Sequence, residues 1–389
     1  MKNTKFPTLS LFLLCAVLLS SVVCPVSYAA RETAGEDVVS LPPANERAEP
    51  SLPSSLSAET EEAVAADDMK VSSRFLELLT GKGEKEKTLS LIPGGNIFGV
   101  KIKQRGVSIT EIRENAGKTP LAVGDVILSV NGESVGSAAD VSEKIRAAEG
   151  SLLIRVRRGE EELDVTVTPS GAAGEGKLGI LVRDGAAGIG TVTFIDPKTG
   201  AFGGLGHGIC DPDTGDLVEM EEGTVTDVIL GGVRRGESGK PGELHGVLKK
   251  NTVGELLGNS ECGVFGTLEH VDRAAATVPI GTREEVHEGR ATILSTVKGE
   301  TPVAYEINIH EIHKTSENTK SFRITVTDPT LIAMTGGIVR GMSGSPILQD
   351  GKLIGAVTHV MVGDPTEGYG IFIENMLAAM PEEVLPDAA

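Results

Sequence analysis

Short runs of alternating apolar and polar residues dominate the chain from residue 88 onwards, and glycine or turn residues separate them. Such alternation places successive side chains on opposite faces of a β-strand, so it predicts a mainly β protein. Before residue 170 the predicted strands span 98–102, 107–109, 125–130, 152–156 and 163–167, with a helix over 138–148. After residue 176 they span 189–195, 224–230, 263–268, 291–297, 303–309, 322–326 and 353–358.

The first 87 residues have a different character. Residues 1–29 carry two lysines, an apolar run from Leu9 to Val26 and the small-x-small sequence Ser27-Tyr28-Ala29, as signal peptides do. Because the apolar run approaches the ~20 residues that span a bilayer, an uncleaved membrane anchor is the alternative. Residues 30–87 are rich in proline, serine, alanine and acids, which predicts a disordered tether followed by a short helix near 73–79. A Gly/Ala-rich linker, 171–176, then divides the rest into domains 88–170 and 171–389.

Composition narrows the class of protein. There are 49 glycines and no tryptophan, which favours a β-rich architecture with many tight turns. Lys+Arg 36 against Asp+Glu 55 gives a net charge of −19, which argues against a nucleic-acid partner. Cys210 and Cys262 are the cysteines outside the leader, and either a disulfide or two free thiols fits an exported protein. His310 and His313 lack a third ligand at metal-binding spacing, so we predict no metal and no cofactor.

The segment Gly341-Met342-Ser343-Gly344-Ser345-Pro346 is the strongest candidate for chemistry. It places a hydroxyl between glycines, which permit a tight turn and the close approach of a substrate chain. A nucleophilic serine needs such a turn, because its Oγ must be accessible while amides of the same loop converge on a developing oxyanion. We therefore predict Ser343 as the nucleophile and the amides of Gly341 and Ser343 as the oxyanion donors.

A serine nucleophile also needs a base and a group that orients the base. His207 lies between Gly206 and Gly208, where no bulky neighbour shields the ring, and it is the preferred base, with His359 as the second choice. For the orienting acid, Asp328 follows a predicted strand, but spacing alone does not distinguish it from several other aspartates. These are Asp196, Asp211 and Asp213.

The segment Leu121-Ala122-Val123-Gly124-Asp125-Val126-Ile127-Leu128-Ser129-Val130-Asn131-Gly132 resembles PDZ domains, and the resemblance covers the N-terminal domain at 88–170. The loop at 95–100 then resembles the carboxylate-binding loop of such domains. In PDZ domains an extended peptide adds to a strand edge while amides hold its terminal carboxylate. The residues predicted to bind peptide are Gly95, Ile97, Phe98, Gly99 and Val100.

Three further segments resemble the stage IV sporulation protein B serine peptidases. They are 177–180 with 196–209, the run 335–347 around Ser343, and 355–360 with 364–376. The resemblance implies a trypsin-like double β-barrel peptidase domain after the PDZ domain, with His207 as general base, Asp328 as orienting acid and Ser343 as nucleophile. It departs from better-known trypsin-like enzymes in two respects: Asp328 is close to Ser343 in sequence, and Met342 replaces the acid that usually precedes the nucleophile.

The resemblance also implies a role. Such an enzyme is exported across the inner forespore membrane and cleaves a membrane-bound regulator of an intramembrane metalloprotease, which then processes a sigma factor. Expected partners are that regulator and a second copy of the chain, bound through the PDZ domain and cut in its N-terminal region in trans. The rival interpretations are an exported quality-control protease and a non-catalytic PDZ adaptor.

Overall fold

The computed structural model describes residues 37–39, 89–113, 119–171 and 176–386. The predicted leader at 1–29, most of the tether and the helix predicted near 73–79 lie outside these ranges. Within them, no helix is both long enough and apolar enough to cross a membrane.

The described residues form a mainly β structure, which confirms the predicted fold class. The strands are β1 (Asp37–Val39), β2 (Ser90–Pro93), β3 (Ile97–Ile112), β4 (Val126–Val130), β5 (Glu133–Ser134), β6 (Leu152–Arg158), β7 (Glu161–Val167), β8 (Ile180–Ile195), β9 (Ala201–Gly204), β10 (Met220–Arg234), β11 (Glu243–Ser260), β12 (Gly263–Leu268), β13 (Val278–Pro279), β14 (Gly289–Ser295), β15 (Val303–His310), β16 (Phe322–Val326), β17 (Pro346–Gln349), β18 (Lys352–Met361) and β19 (Asp364–Phe372). The helices are α1 (Ala138–Arg146), α2 (Pro329–Thr335) and α3 (Ile373–Ala378), followed by a 3₁₀ turn at Glu382–Val384.

Six strands close the first barrel. Pairing runs from β8 through β9, β12, β11, β10 and β3, and then returns to β8. Inward-facing side chains fill the interior, among them Phe98, Val100, Phe202 and Val264, all of them buried. The rings of Phe98 and Phe202 meet edge to face with centroids 5.7 Å apart, an arrangement that aromatic pairs prefer.

The second barrel closes in the order β14, β15, β16, β19, β18 and β17. Its core includes Ile293, Ile307, Phe322 and Phe372, each of them at most 1% exposed. Helix α3 follows β19 directly and buries Met376 in a separate apolar cluster that also contains residues of the first barrel. Two closed barrels in sequence are the double-barrel arrangement that the sequence predicted.

The PDZ part is inserted into the first barrel. Strands β3 and β8 are each 16 residues long, and each serves two sheets. Near one end Ile97 pairs with Thr191 inside the barrel, and near the other Ile112 pairs with Ile180 beside β4, β6 and β7. The chain therefore leaves the barrel along β3, forms the PDZ core, and returns along β8.

Local sequence explains several elements of the PDZ part. The predicted turn at Asn131-Gly132 joins β4 to β5, with φ of 52° and 81°, the left-handed angles that these two residue types tolerate best. Helix α1 begins after Ser137, whose hydroxyl accepts from the Asp140 amide, and it buries Val141 on the core side. The helix was predicted over 138–148, two residues longer than the one observed.

The predicted carboxylate-binding loop is wrong in position. Residues 97–100 lie in the barrel half of β3, which pairs with β8 on one side and with β10 on the other. Phe98 and Val100 are buried in the barrel core, and the Gly95 amide donates to the Val192 carbonyl at 2.8 Å. Of the predicted residues Gly95, Ile97, Phe98, Gly99 and Val100, the last two pair with both neighbouring strands, and Phe98 and Val100 are buried, so Phe98, Gly99 and Val100 lack the free edge or the exposure that peptide binding needs. Residues 89–104 of the predicted PDZ range accordingly pack with the peptidase barrels.

The two cysteines outside the leader are both free thiols. Cys210 is exposed, whereas burial raises the pKa of Cys262 to about 11, with the charges of Glu261 and Glu317 acting in the same direction. A thiol with so high a pKa stays protonated at neutral pH and is a poor nucleophile.

Candidate active site

The nucleophile loop connects α2 to β17 and lies against both barrels. Gly344 shows how close this packing is: a Cβ at that position would stand 2.0 Å from the Thr191 carbonyl oxygen and 2.4 Å from the Leu205 amide nitrogen, both in the first barrel. Gly344 also has a φ of 94°, which L side chains rarely adopt. Both facts explain why glycine must occupy this position.

Hydrogen bonds fix every peptide plane from residue 340 to residue 344. Their carbonyls accept, in chain order, from the Leu244 amide, the Thr191 hydroxyl, the Ser345 amide, the Thr191 amide and the Thr193 hydroxyl. The amides of Arg340, Met342 and Gly344 are donors within the same network. Among the described residues, the amides of Gly341 and Ser343 have no acceptor. These two free donors are the ones predicted for the oxyanion.

The structure separates the two serines of the motif. Ser343 is partly exposed, and its hydroxyl donates to the Thr358 carbonyl at 2.7 Å. Ser345 has no exposed surface, and its hydroxyl lies 3.1 Å from that of Ser295 in the second barrel. Only Ser343 is therefore accessible to a substrate. Its hydroxyl must rotate away from Thr358 before an imidazole can receive its proton.

His207 lies on the connection that follows β9, two residues after Leu205, whose backbone closely approaches Gly344 of the loop. Its Nδ1 is 2.8 Å from the Gly208 carbonyl, which requires that Nδ1 carry the proton and leaves Nε2 as the basic nitrogen. Burial lowers the pKa of His207, and the hydrogen bond to Gly208 acts in the opposite direction. Because its pKa lies below the usual value, the ring is neutral at neutral pH, as a general base must be. Nearby Leu205 is held at φ 65°, a backbone conformation that is strained for leucine.

A second imidazole packs against the first. The ring of His359, on β18, has its centroid 5.3 Å from that of His207 at a tilt of 39°. Its Nδ1 is buried and has no hydrogen-bond partner within the described chain. Burial is the main reason that the pKa of His359 is lowered to about 3, and electrostatic repulsion from His207 and Lys320 acts in the same direction. His359, the second choice of base from the sequence, therefore lies next to His207, the preferred one.

Asp328 has other partners. Its carboxylate caps α2, where Oδ1 accepts from the amides of Thr330 and Leu331 at 2.8 and 3.0 Å. Among the described residues, no carboxylate forms a hydrogen bond or ion pair with His207 or His359. The role of Asp328 as orienting acid therefore stays a prediction, and in this arrangement the Gly208 carbonyl orients His207.

Strand β8 has a free edge in the PDZ half. Residues 180–185 of β8 pair with β3 on one side and have no strand of the described chain on the other. The Ala138 amide at the start of α1 donates to Asp184, which brings the helix beside β8. The amides of Leu178 and Gly179 have no acceptor among the described residues, and Gly179 has a φ of 68°. The segment Lys177-Leu178-Gly179-Ile180, which the family resemblance places in the peptidase domain, leads into this edge.

Comparison with known families gives two matches. The model described as SpoIVB peptidase S55 matches residues 174–377, and a PDZ domain model matches residues 120–158. The PDZ match begins after β3, whose first half the structure places in the first barrel.

Individual relatives match over shorter stretches. Serine protease HTRA1 of Xenopus laevis is 32% identical over 104 residues, which is 23% of this chain and 22% of the relative. Serine protease HTRA1A of Danio rerio is 44% identical over 61 residues, or 14% of this chain and 12% of the relative. The chain thus spans about a fifth or less of the length of these curated relatives.

Solved structures resemble the chain distantly. The HtrA-type protease AlgW with decapeptide is 10% identical and covers 73% of this chain and 62% of its own, with a TM-score of 0.31. The active form of the Rv3671c protease from M. tuberculosis is 15% identical, covers 50% of this chain and 74% of its own, and has a TM-score of 0.27. The family match spans more than half of the chain and includes His207 and Ser343. The chain therefore belongs to the SpoIVB peptidase S55 family and carries a PDZ domain.

Proposed function

We propose that the chain is a serine endopeptidase of sporulation in which Ser343 is the nucleophile and His207 the general base. The observation that carries this proposal is the nucleophile loop itself, with five fixed carbonyls, two free amides and an accessible hydroxyl. Membership of the SpoIVB peptidase S55 family supports it. A loop with a purely structural role would have no reason to leave two amides unpaired beside its accessible serine.

The chemistry follows from these positions. Ser343 rotates from the Thr358 carbonyl and transfers its proton to Nε2 of His207 while Oγ attacks the scissile carbonyl. The negative charge on the carbonyl oxygen is met by the amides of Gly341 and Ser343. The His207 imidazolium then protonates the leaving amine, and water, activated by the neutral ring, hydrolyses the acyl ester. The Gly208 carbonyl keeps His207 in the required tautomer throughout.

The substrate we propose is a membrane-bound regulator of an intramembrane metalloprotease, cut at one or two sites after export into the space between the forespore membranes. This signal would lead to sigma factor processing in the mother cell. The family match supports this role. We also propose self-cleavage in the N-terminal region, with the PDZ domain holding the segment to be cut.

Labelling with a fluorophosphonate tests the proposed chemistry. Wild-type protein should be labelled at Ser343, and Ser343→Ala should remove the label. The matched control is Ser345→Ala, two positions away and fully buried, which should retain the label. Absence of label in folded wild-type protein would favour a non-catalytic PDZ adaptor.

Digestion of purified proteins tests the proposed substrate class. A signalling enzyme should give one or two discrete cuts in a membrane-bound regulator and should leave unfolded casein nearly intact. In sporulating cells that lack their own copy, wild-type protein should restore sigma factor processing and Ser343→Ala should not. Broad degradation of casein would instead indicate a quality-control protease.

A further inference from the structure

Two arginines and a buried glutamate lie beside the nucleophile loop. Arg340 directly precedes Gly341, one of the two free amide donors. Its amide donates to the Gly242 carbonyl at 3.0 Å, and its carbonyl accepts from the Leu244 amide at 2.8 Å. These bonds set Arg340 in a parallel bridge with Glu243, at the start of β11 in the first barrel. The side chain of Arg340 therefore projects from a fixed backbone, one residue from the oxyanion donors.

The charges of this cluster do not balance. Glu243 is buried, and its carboxylate lies 3.1 Å from the Arg234 guanidinium and 3.4 Å from Nε2 of His245. Arg340 is partly exposed, and among the described residues its guanidinium has neither a hydrogen bond nor an ion pair. One carboxylate thus serves two arginines. A net positive charge remains beside the loop, in a chain whose overall charge is −19.

The surroundings of Arg340 favour the arrival of an anion. Burial lowers the pKa of its guanidinium, Glu243 acts in the opposite direction, and Arg234 adds to the lowering. A partly buried charge without a direct partner costs free energy, and an anion that pairs with it offsets that cost. Because a guanidinium presents its donors as a planar fork, the group that matches it best in a peptide is a carboxylate.

A bound substrate would pass within reach of this guanidinium. In the proposed reaction the scissile carbonyl oxygen lies on the amides of Gly341 and Ser343, so the substrate backbone passes beside the residue that follows Arg340. Two residues of an extended chain span roughly 6.6 Å. A long arginine side chain covers such a distance, and it can therefore meet a substrate side chain that is one or two residues from the scissile bond.

We propose that Arg340 is a specificity-determining residue, which binds an acidic side chain of the substrate within two residues of the scissile bond. Arg234 stays paired with Glu243 and adds positive potential to the same subsite. This inference rests on the proposed function, because it requires a substrate chain at Ser343. It adds to that function a preference for acidic sequences next to the cut.

The chain itself contains a segment with the required charge. Residues 55–70 belong to the N-terminal region in which we propose self-cleavage, and their only base is Lys70. Their acids are Glu59, Glu61, Glu62, Asp67 and Asp68. A synthetic peptide of residues 55–70 is therefore the test ligand. Its control is the same peptide with glutamine and asparagine in place of the acids, which keeps the shape of each side chain and removes its charge.

The measurement is the protection of Ser343 from a fluorophosphonate by each peptide, on the full chain. A peptide that lies across the nucleophile loop blocks the reagent whether or not it is cut, and the dependence of the labelling rate on peptide concentration gives an apparent Kd. Each variant is referred to its own labelling rate without peptide. In wild-type protein the acidic peptide should bind at least about tenfold more tightly than its control, since hydrogen bonds to charged groups are the stronger ones.

The variants change one charge at a time. Arg340→Gln should reduce the preference to less than about threefold, and Arg340→Lys, which keeps the charge but loses the fork, should retain part of it. Arg340→Glu should reverse it, so that a peptide with lysine in place of the acids binds best; misfolding does not produce such a reversal. Arg290→Gln is the matched control. Arg290 is exposed and lies two residues before Thr292, which pairs with Leu348 towards the β17–β18 turn, so its loss should leave the preference unchanged.

Single substitutions in the peptide separate a subsite from general attraction. Neutralising the acids one at a time should show that one or two neighbouring acids carry most of the effect. An effect spread evenly over all of them would indicate long-range attraction and would overturn the subsite.

The remaining outcomes distinguish this inference from the proposed function. If wild-type protein reacts at Ser343 but is protected equally by the acidic and the neutral peptide, or if the preference survives Arg340→Gln, the subsite is wrong and the proposed peptidase is unaffected. If folded wild-type protein does not react with the fluorophosphonate at all, the proposed function is wrong, and this inference is wrong with it.

Discussion

The close approach of Gly344 to the first barrel gives a quantitative prediction. Substituting alanine places a Cβ 2.0 Å from the Thr191 carbonyl oxygen, where ordinary contacts begin at 3.4 Å. The loop must therefore retreat by roughly 1.4 Å, the difference between those distances, because both atoms nearest the new Cβ belong to backbone. A misplacement of roughly 1 Å costs on the order of 10²-fold in rate, so we expect Gly344→Ala to lower labelling of Ser343 by at least that factor.

The matched control separates this displacement from backbone strain. Gly351, in the turn between β17 and β18, also has a positive φ, 78°, but a Cβ there would meet nothing within 4 Å. Both alanine substitutions incur the strain of a left-handed alanine, about 1–2 kcal/mol in the free energy of unfolding. Only Gly344→Ala adds the steric term, about a further 1–3 kcal/mol.

The assay combines urea unfolding, followed by circular dichroism, with the rate of fluorophosphonate labelling. Gly351→Ala should lose about 1–2 kcal/mol and label at the wild-type rate. Gly344→Ala should lose more stability and label on the order of 10²-fold more slowly. If the two variants label equally fast, the loop does not depend on its contact with Thr191 and Leu205, and the reasoning about the site is wrong.

Three other predictions follow from the site and the fold. His359→Phe keeps a ring beside His207 but removes a buried neutral imidazole. The pKa of His359 is about 3 in the folded protein and about 6.5 in the unfolded chain, so the unfolded chain binds a proton here that the folded protein does not. Between pH 7.5 and pH 5, wild type should therefore lose roughly 2 kcal/mol of unfolding free energy from this group, and the variant should not. Urea unfolding at the two pH values measures this, and the exposed His270→Phe should behave like wild type. Asp328→Asn keeps the helix cap, so stability should change by under about 0.5 kcal/mol and labelling by less than about tenfold, whereas a loss near 10⁴-fold would identify Asp328 as the orienting acid. Deleting 88–169 removes β2 and the barrel half of β3 and should abolish cooperative unfolding. Replacing 104–184 by Asn-Gly keeps the pairing of Lys103 with Gly185 and should preserve labelling of Ser343. Loss of folding in this second variant would contradict the insertion of the PDZ core into the barrel.

Local chemistry explains what could be predicted from sequence. The turn at Asn131-Gly132, helix α1 and most of the predicted strands follow from residue types and periodicity, which act over a few neighbours. The motif around Ser343 likewise contains its own reasons, because glycines and a proline restrict the loop wherever it lies. Long strands were harder: the alternation breaks at Gln104-Arg105-Gly106, so β3 was predicted as two strands, although tertiary pairing with β8 and β10 carries it through.

The sequence by itself determined the β-rich class, the family resemblance, the exposed serine in its glycine turn and the histidine on its own glycine turn. Only the tertiary structure decided that the PDZ core is inserted into a barrel, that Phe98 and Val100 are core residues, that His359 packs against His207 and that Asp328 caps a helix. It also placed Thr191 and Thr193 against a loop 150 residues later in the chain. The reason is physical: strand pairing and side-chain contacts between distant segments depend on which edges and faces meet, and no local pattern encodes that choice.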